Sequence, residues 1–65
     1  MNILVNNTST QTNAHNVAEL VAEQQLPERG VAIAINNKVV PRADWKEKAI
    51  AEGDNVTIIK AAFGG

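Results

Sequence analysis

The sequence predicts an α+β domain, a mixed β-sheet wrapped around one main helix. Three observations carry that prediction. Short runs rich in β-branched residues stand near the start, middle and end of the 65-residue chain, at Ile3-Leu4-Val5, Val31 to Ile35 and Asn55 to Lys60. One stretch, opening at Asn16, combines a helix start signal with apolar residues at helical spacing. Two pairs, Asn6-Asn7 and Asn36-Asn37, stand where strands need tight turns, and asparagine tolerates the positive φ such turns demand.

The elements follow in order. Ile3-Leu4-Val5 is a short strand that Asn6-Asn7 turns back on itself. Thr8 to Thr12 is then a polar strand, rich in threonine and suited to a sheet edge. Asn16 is the N-cap of the helix, and Glu19 is placed to return a bond to the Asn16 amide as in a capping box. Val17, Leu20, Val21 and Gln24 form one stripe, while Glu19 and Glu23 face water. Pro27 ends the helix and Gly30 completes the loop.

From Val31 to Ile35 the β-branched residues share one face and pack on the helix, with the alanines opposite. Asn36-Asn37 leads into Val39-Val40, which Pro41 stops because it has no amide hydrogen to give a sheet. Arg42 to Ala51 is less regular, with one or two helical turns and with Trp45 and Ala49 as anchors to the core. After a Gly53-Asp54 turn, Asn55 to Lys60 is the last strand, Val56 and Ile58 alternating with Thr57.

A right-handed crossover lays this last strand parallel to the first, in the centre of the sheet. That arrangement is the ubiquitin-like β-grasp, with a short helical segment before the final strand. The expected organisation is a single domain over residues 1–60 and a flexible Gly-Gly tail over 61–65.

Composition excludes several functions. The chain has no cysteine, so disulfides, thiolate nucleophiles and cysteine metal sites are ruled out. A net charge of −1, with no basic run and one Trp and one Phe, does not suit nucleic-acid binding. No apolar stretch is long enough to span a membrane, and Met1-Asn2-Ile3 lacks the basic start of a signal peptide, so a cytoplasmic location is expected. His15 has no second ligand for a metal, Ser9 has no base, and Glu19 and Glu23 read as a solvated helix face. The chain therefore has no set of residues fit for catalysis of its own.

The exception is Gly64-Gly65. Two terminal glycines arise by chance in roughly one chain in two hundred, so the pair gains meaning from its place directly after the last strand of this pattern. An ionised α-carboxylate on Gly65 can attack the α-phosphorus of ATP, and a sulfur nucleophile can then displace AMP. Without Cβ, both residues fit a narrow channel and leave the carbonyl open to attack. Extended, Ala61 to Gly65 reaches about 17 Å.

The run from Ala32 through Ile35, Asn36-Asn37-Lys38-Val39-Val40-Pro41-Arg42 and on to Trp45 resembles the middle of ThiS proteins. So do the Gly53-Asp54 turn, the apolar last strand and the Gly64-Gly65 end, so the likeness covers essentially the whole chain. It implies a sulfur carrier of thiamine biosynthesis rather than an enzyme. A ThiF-like adenylating enzyme, using ATP and Mg²⁺, would activate Gly65. A cysteine desulfurase or persulfide carrier would supply sulfur, and thiazole synthase (ThiG) would take it from the thiocarboxylate. The carrier itself binds no cofactor or metal.

Phe63 departs from the family pattern, where a smaller or more polar residue is commoner; it either docks in a partner's groove or folds back on the sheet. Ile59 and Phe63 are the candidate docking residues. Lys38, Arg42, Lys46, Lys48 and Lys60 are read as solvated charges, with an acidic partner surface as the alternative. Three other functions fit the same fold. One is a MoaD-like small subunit of molybdopterin synthase, although Lys60-Ala61-Ala62-Phe63 lacks that family's proline-rich approach to the glycines. The others are a ubiquitin-like protein modifier and a binding module whose glycines are incidental.

Overall fold

The computed structural model describes residues 1–27 and 29–60. The described chain runs β1 (Asn2–Val5), β2 (Thr8–Gln11), α1 (Val17–Glu23), β3 (Val31–Ile35), β4 (Lys38–Val40), a 3₁₀ turn (Arg42–Asp44) and β5 (Asn55–Lys60). The five strands form one sheet in the order β2-β1-β5-β3-β4. β5 lies parallel to β1 and antiparallel to β3, so the last strand is the central one, as expected for a β-grasp.

Both hairpins close through two asparagines in the left-handed region, Asn6 and Asn7 at φ 49 and 67, Asn36 and Asn37 at 52 and 72. This pattern is that of a two-residue turn whose twist matches the strands it joins. β2 and β4 are the sheet edges, and β2 is the threonine-rich strand that the composition places there.

One face of the sheet covers the helix. Ile3, Ile33, Ile35, Val40 and Val56 meet Val17, Leu20 and Val21 in a single core. Leu20, Ile33, Val17 and Val56 are its most completely buried large side chains. Trp45 closes the core beside them and donates from Nε1 to the Val40 carbonyl at 3.0 Å. Ala49, expected as the second anchor, is exposed and forms a β-bridge with Asn16. Ile50 fills the core instead, because the path of the chain past the helix start turns that side chain inward.

The helix start differs in one bond from a capping box. The Asn16 Oδ1 accepts from the Glu19 amide at 2.8 Å as expected, but the Glu19 carboxylate reaches past Asn16 to the His15 amide at 2.7 Å. The carboxylate takes the amide one residue earlier, where Asn16 pairs with Ala49 in a β-bridge and the chain enters the helix from that short strand-like contact. The remaining helix-start donors are taken by the segment after the 3₁₀ turn. The Val17 amide donates to Lys48 O, and the Ala18 amide to Trp45 O, both at 3.1 Å. Those bonds fasten the irregular stretch between β4 and β5 to the helix.

The helix also stops earlier than Pro27 would require. Gln24 is the C-cap, Gln25 turns left-handed at φ 57, and the Leu26 and Gln25 amides return to Val21 O and Ala22 O. This is a Schellman ending, and Leu26 packs against the core beside it. Glu23 faces solvent as expected. It also accepts from the Thr12 hydroxyl and the Asn13 amide, which ties the helix to the end of β2.

Candidate functional site

The groups that carry chemistry in the sequence are few, and the fold does not gather them. His15 lies at the surface, its side chain 3.3 Å from Glu19. Ser9 sits exposed on the edge strand β2. Among the described residues no three His, Asp or Glu side chains are arranged to hold a metal ion. The first amides of the helix are all committed to Lys48, Trp45 and Asn16, so none points at an anion. A groove of about 760 Å³ runs beside β4, but charges of both signs line it, Lys38 and Lys48 with Asp44 and Glu47. No described helix is long and apolar enough to cross a membrane.

What the fold does build is a strand aimed outward from the middle of the sheet. β5 is held on one side along its full length by β3, from Ile35↔Val56 to Val31↔Lys60. On the other side β1 pairs with it only at Leu4↔Asn55 and Val5↔Val56, and then turns away. The last turn of that ladder is completed by a side chain, since the Ile58 amide donates to Asn6 Oδ1 at 2.8 Å. The opposite end is held in the same way by the second turn. There the Asn55 amide donates to Asn36 Oδ1 at 3.0 Å, and Asn36 Nδ2 to Asp54 Oδ1 at 3.2 Å.

The face of the sheet away from the helix is the second feature. Leu4 is 38% exposed, Val39 68% and Ile59 51%. Strand alternation puts them there: Ile3, Val40 and Ile58, their neighbours in sequence, turn toward the core. Ala32 stands opposite Ile59, and Ala34 opposite both Thr57 and Val39, so the surface between the larger side chains is low. Ile59 is thus a surface residue. Lys38, Arg42, Lys46, Lys48 and Lys60 are exposed, as their reading as surface charges requires. Phe63, Gly64, Gly65 and the rest of the tail at 61–65 lie outside the described residues.

A small β-grasp domain with an outward-running central strand and no catalytic cluster among its described residues belongs to the class of ubiquitin-like folds. The comparisons narrow that class. The ThiS family model matches residues 2–65, and the chain belongs to the ThiS family. It is 33% identical over 66 residues to the sulfur carrier protein ThiS of Escherichia coli K12, with all of both chains covered. Its fold matches the crystal structure of a thiamine biosynthesis protein (ThiS) from Geobacter metallireducens, with a TM-score of 0.85, 25% identity and full coverage of both chains. A solution structure of a thiamine biosynthesis protein from the same organism matches at TM-score 0.82 and 29% identity, over all of this chain and 88% of that one.

Proposed function

We infer that the protein carries sulfur for thiazole formation in thiamine biosynthesis, as a co-substrate and not as a catalyst. The observation that supports this most is the family match running through residue 65, which takes in the Gly64-Gly65 pair. In this reading the Gly65 carboxylate attacks the α-phosphorus of ATP in a ThiF-like enzyme, with Mg²⁺ and with pyrophosphate leaving. A persulfide sulfur, drawn from a cysteine desulfurase or a persulfide carrier, then attacks the acyl adenylate and AMP leaves. A thiol cleaves the resulting acyl disulfide, so that the thiol and the donor sulfur are oxidised to a disulfide and the thiocarboxylate is released. Thiazole synthase (ThiG) accepts that sulfur.

The division of labour follows from size. A domain of 65 residues has too little surface to enclose ATP and a persulfide, but it can present its own terminus to a partner that does. Ordering a short tail opposes binding by roughly 1–2 kcal/mol per residue, and apolar contact by the domain offsets it. The open sheet face around Ile59 is the docking surface in this reading, with Phe63 as the second docking residue.

Intact mass spectrometry tests the reading. The protein is incubated with ATP, Mg²⁺, a ThiF-type enzyme of demonstrated activity, a persulfide donor and a thiol, beside a chain lacking Gly65. A gain equal to one oxygen replaced by sulfur, absent from the shortened chain, is the expected result. No adenylate and no thiocarboxylate would remove sulfur carriage as the function.

A further inference from the structure

We propose that Asn6 is a positioning residue for the sulfur-transfer reaction: its side chain, standing in for a missing stretch of β1, sets the line along which β5 delivers the terminus. This rests on the sulfur-carrier reading above. Asn6 already has one task, the first position of the β1–β2 turn at φ 49. Glycine or aspartate would serve there as well. The Ile58 bond is a second task, and it needs an acceptor oxygen.

The geometry explains why that bond matters more than its energy suggests. The Asn6 amide donates to Val56 O at 2.9 Å, which is the last backbone bond β1 gives to β5. Beyond it β5 continues for four residues, Thr57 to Lys60, with β3 alone beside it. A strand end held from one side can swing about its single ladder. The bond from Ile58 to Asn6 Oδ1 fixes the second side two residues before Lys60. It also holds the alternation that turns Ile58 to the core and Ile59 to the open face. A partner that grips the open face then meets the end of β5, at Lys60, in one direction.

The fold supplies its own control. Asn36 occupies the same position in the other hairpin, at φ 52, and its Oδ1 accepts from the Asn55 amide. That bond fastens the beginning of β5, five residues before its end at Lys60. Asn6→Gly and Asn36→Gly are therefore the same chemical change in the same kind of turn, applied to opposite ends of one strand. Both keep the positive φ and delete one side-chain acceptor from a β5 amide; Asn36→Gly also removes the Nδ2 bond to Asp54 Oδ1, which makes it the harsher change of the two.

The test measures thiocarboxylate formation with a ThiF-type enzyme as a function of carrier concentration, for wild type, N6G, N36G and N6D. In N6G, kcat/KM is expected to fall about three- to tenfold, the weight of one hydrogen bond. The fall should lie mainly in kcat, because docking survives while fewer docked carriers hold Gly65 in place. N36G is expected to stay within about twofold of wild type, and N6D, which keeps an acceptor oxygen, to recover most of the loss. Amide exchange in the free protein should quicken at Ile58 in N6G and at Asn55 in N36G. Equal losses in N6G and N36G, an unimpaired N6G, or an N6D as poor as N6G would each overturn the proposal. A wild-type carrier that gains no sulfur would overturn it by another route, through the function itself, and the wild-type lane alone reveals that case.

Discussion

The Trp45 indole nitrogen lies 3.0 Å from the Val40 carbonyl oxygen, so the largest side chain of the core is also the clasp between β4 and the segment that follows it. Both residues are buried, at 6% and 7% exposure. The bond therefore gives the Val40 carbonyl, at the end of β4, a side-chain donor from the segment that follows. Trp45→Phe deletes this bond and part of the buried apolar area and should lower stability by about 1–3 kcal/mol. Trp45→Ala should lose about 3–5 kcal/mol. A domain this small has a stability of roughly 5 kcal/mol, so urea titration should find the alanine variant only marginally folded, its transition starting at the lowest urea concentrations.

Thr12 is the one buried polar side chain among the described residues, at 2% exposure. Its hydroxyl donates to the Glu23 carboxylate and accepts from the Ala14 amide at 3.0 Å. Thr12→Val keeps the shape and deletes both bonds, which should destabilise by about 1–3 kcal/mol. Thr12→Ser keeps the hydroxyl and should be markedly milder. A valine variant as stable as wild type in thermal unfolding would mean that the helix is not tied to β2 in this way.

Gln25 gives the opposite sign. It holds φ 57 at the helix end, in a conformation that glycine adopts freely and glutamine does not. Gln25→Gly should raise stability by up to about 1 kcal/mol, seen as a higher urea midpoint with an unchanged slope. Loss of stability would mean that the glutamine side chain contributes more than its backbone strain.

Ile59 tests docking apart from folding. At 51% exposure on the central strand β5 it is half-covered, so Ile59→Asp should cost about 1 kcal/mol of stability and leave the domain folded. The same variant should raise the carrier concentration needed for half-maximal adenylation by about tenfold, as expected for a charge placed in an apolar contact. Unchanged adenylation would move the docking surface elsewhere.

The helix cap is a smaller, local case. Asn16→Ala removes the acceptor of the Glu19 amide and should destabilise by about 1 kcal/mol. The Lys48 and Trp45 carbonyls still hold the Val17 and Ala18 amides in that variant. Circular dichroism should therefore show the helix intact below the melting transition.

The fold was legible wherever short-range chemistry decides it. Paired asparagines marked both hairpins, β-branched alternation set the buried faces of β3 and β5, and Asn16 opened the helix. Errors arose where distant chain decides. Ala49 and Ile50 are adjacent in a segment without periodicity, and only the bonds from Val17 and Ile50 to that stretch and to His15 determine which one faces inward. Gln25 has no propensity for a left-handed helix end, so Pro27 was the visible stop and the real one lay earlier. For the candidate site, the outward position of Ile59 follows from alternation. The bonds of Asn6 and Asn36 to β5 join residues about fifty and twenty apart, and no local pattern announces them.

The central position of β5 has a consequence for biosynthesis. A ribosome makes β1 first and β5 last, yet the two lie side by side in the finished sheet. Until Asn55 to Lys60 emerge, β1 and β3 have no strand between them, and the two hairpins cannot share a core. Folding must therefore await nearly the whole chain, as high contact order dictates. A nascent chain interrupted early is neither folded nor equipped with Gly65, so the same event removes both the scaffold and the group it presents. In the sulfur-carrier reading, a copy whose synthesis stops before β5 therefore lacks the docking face around Ile59 as well as the group to be activated.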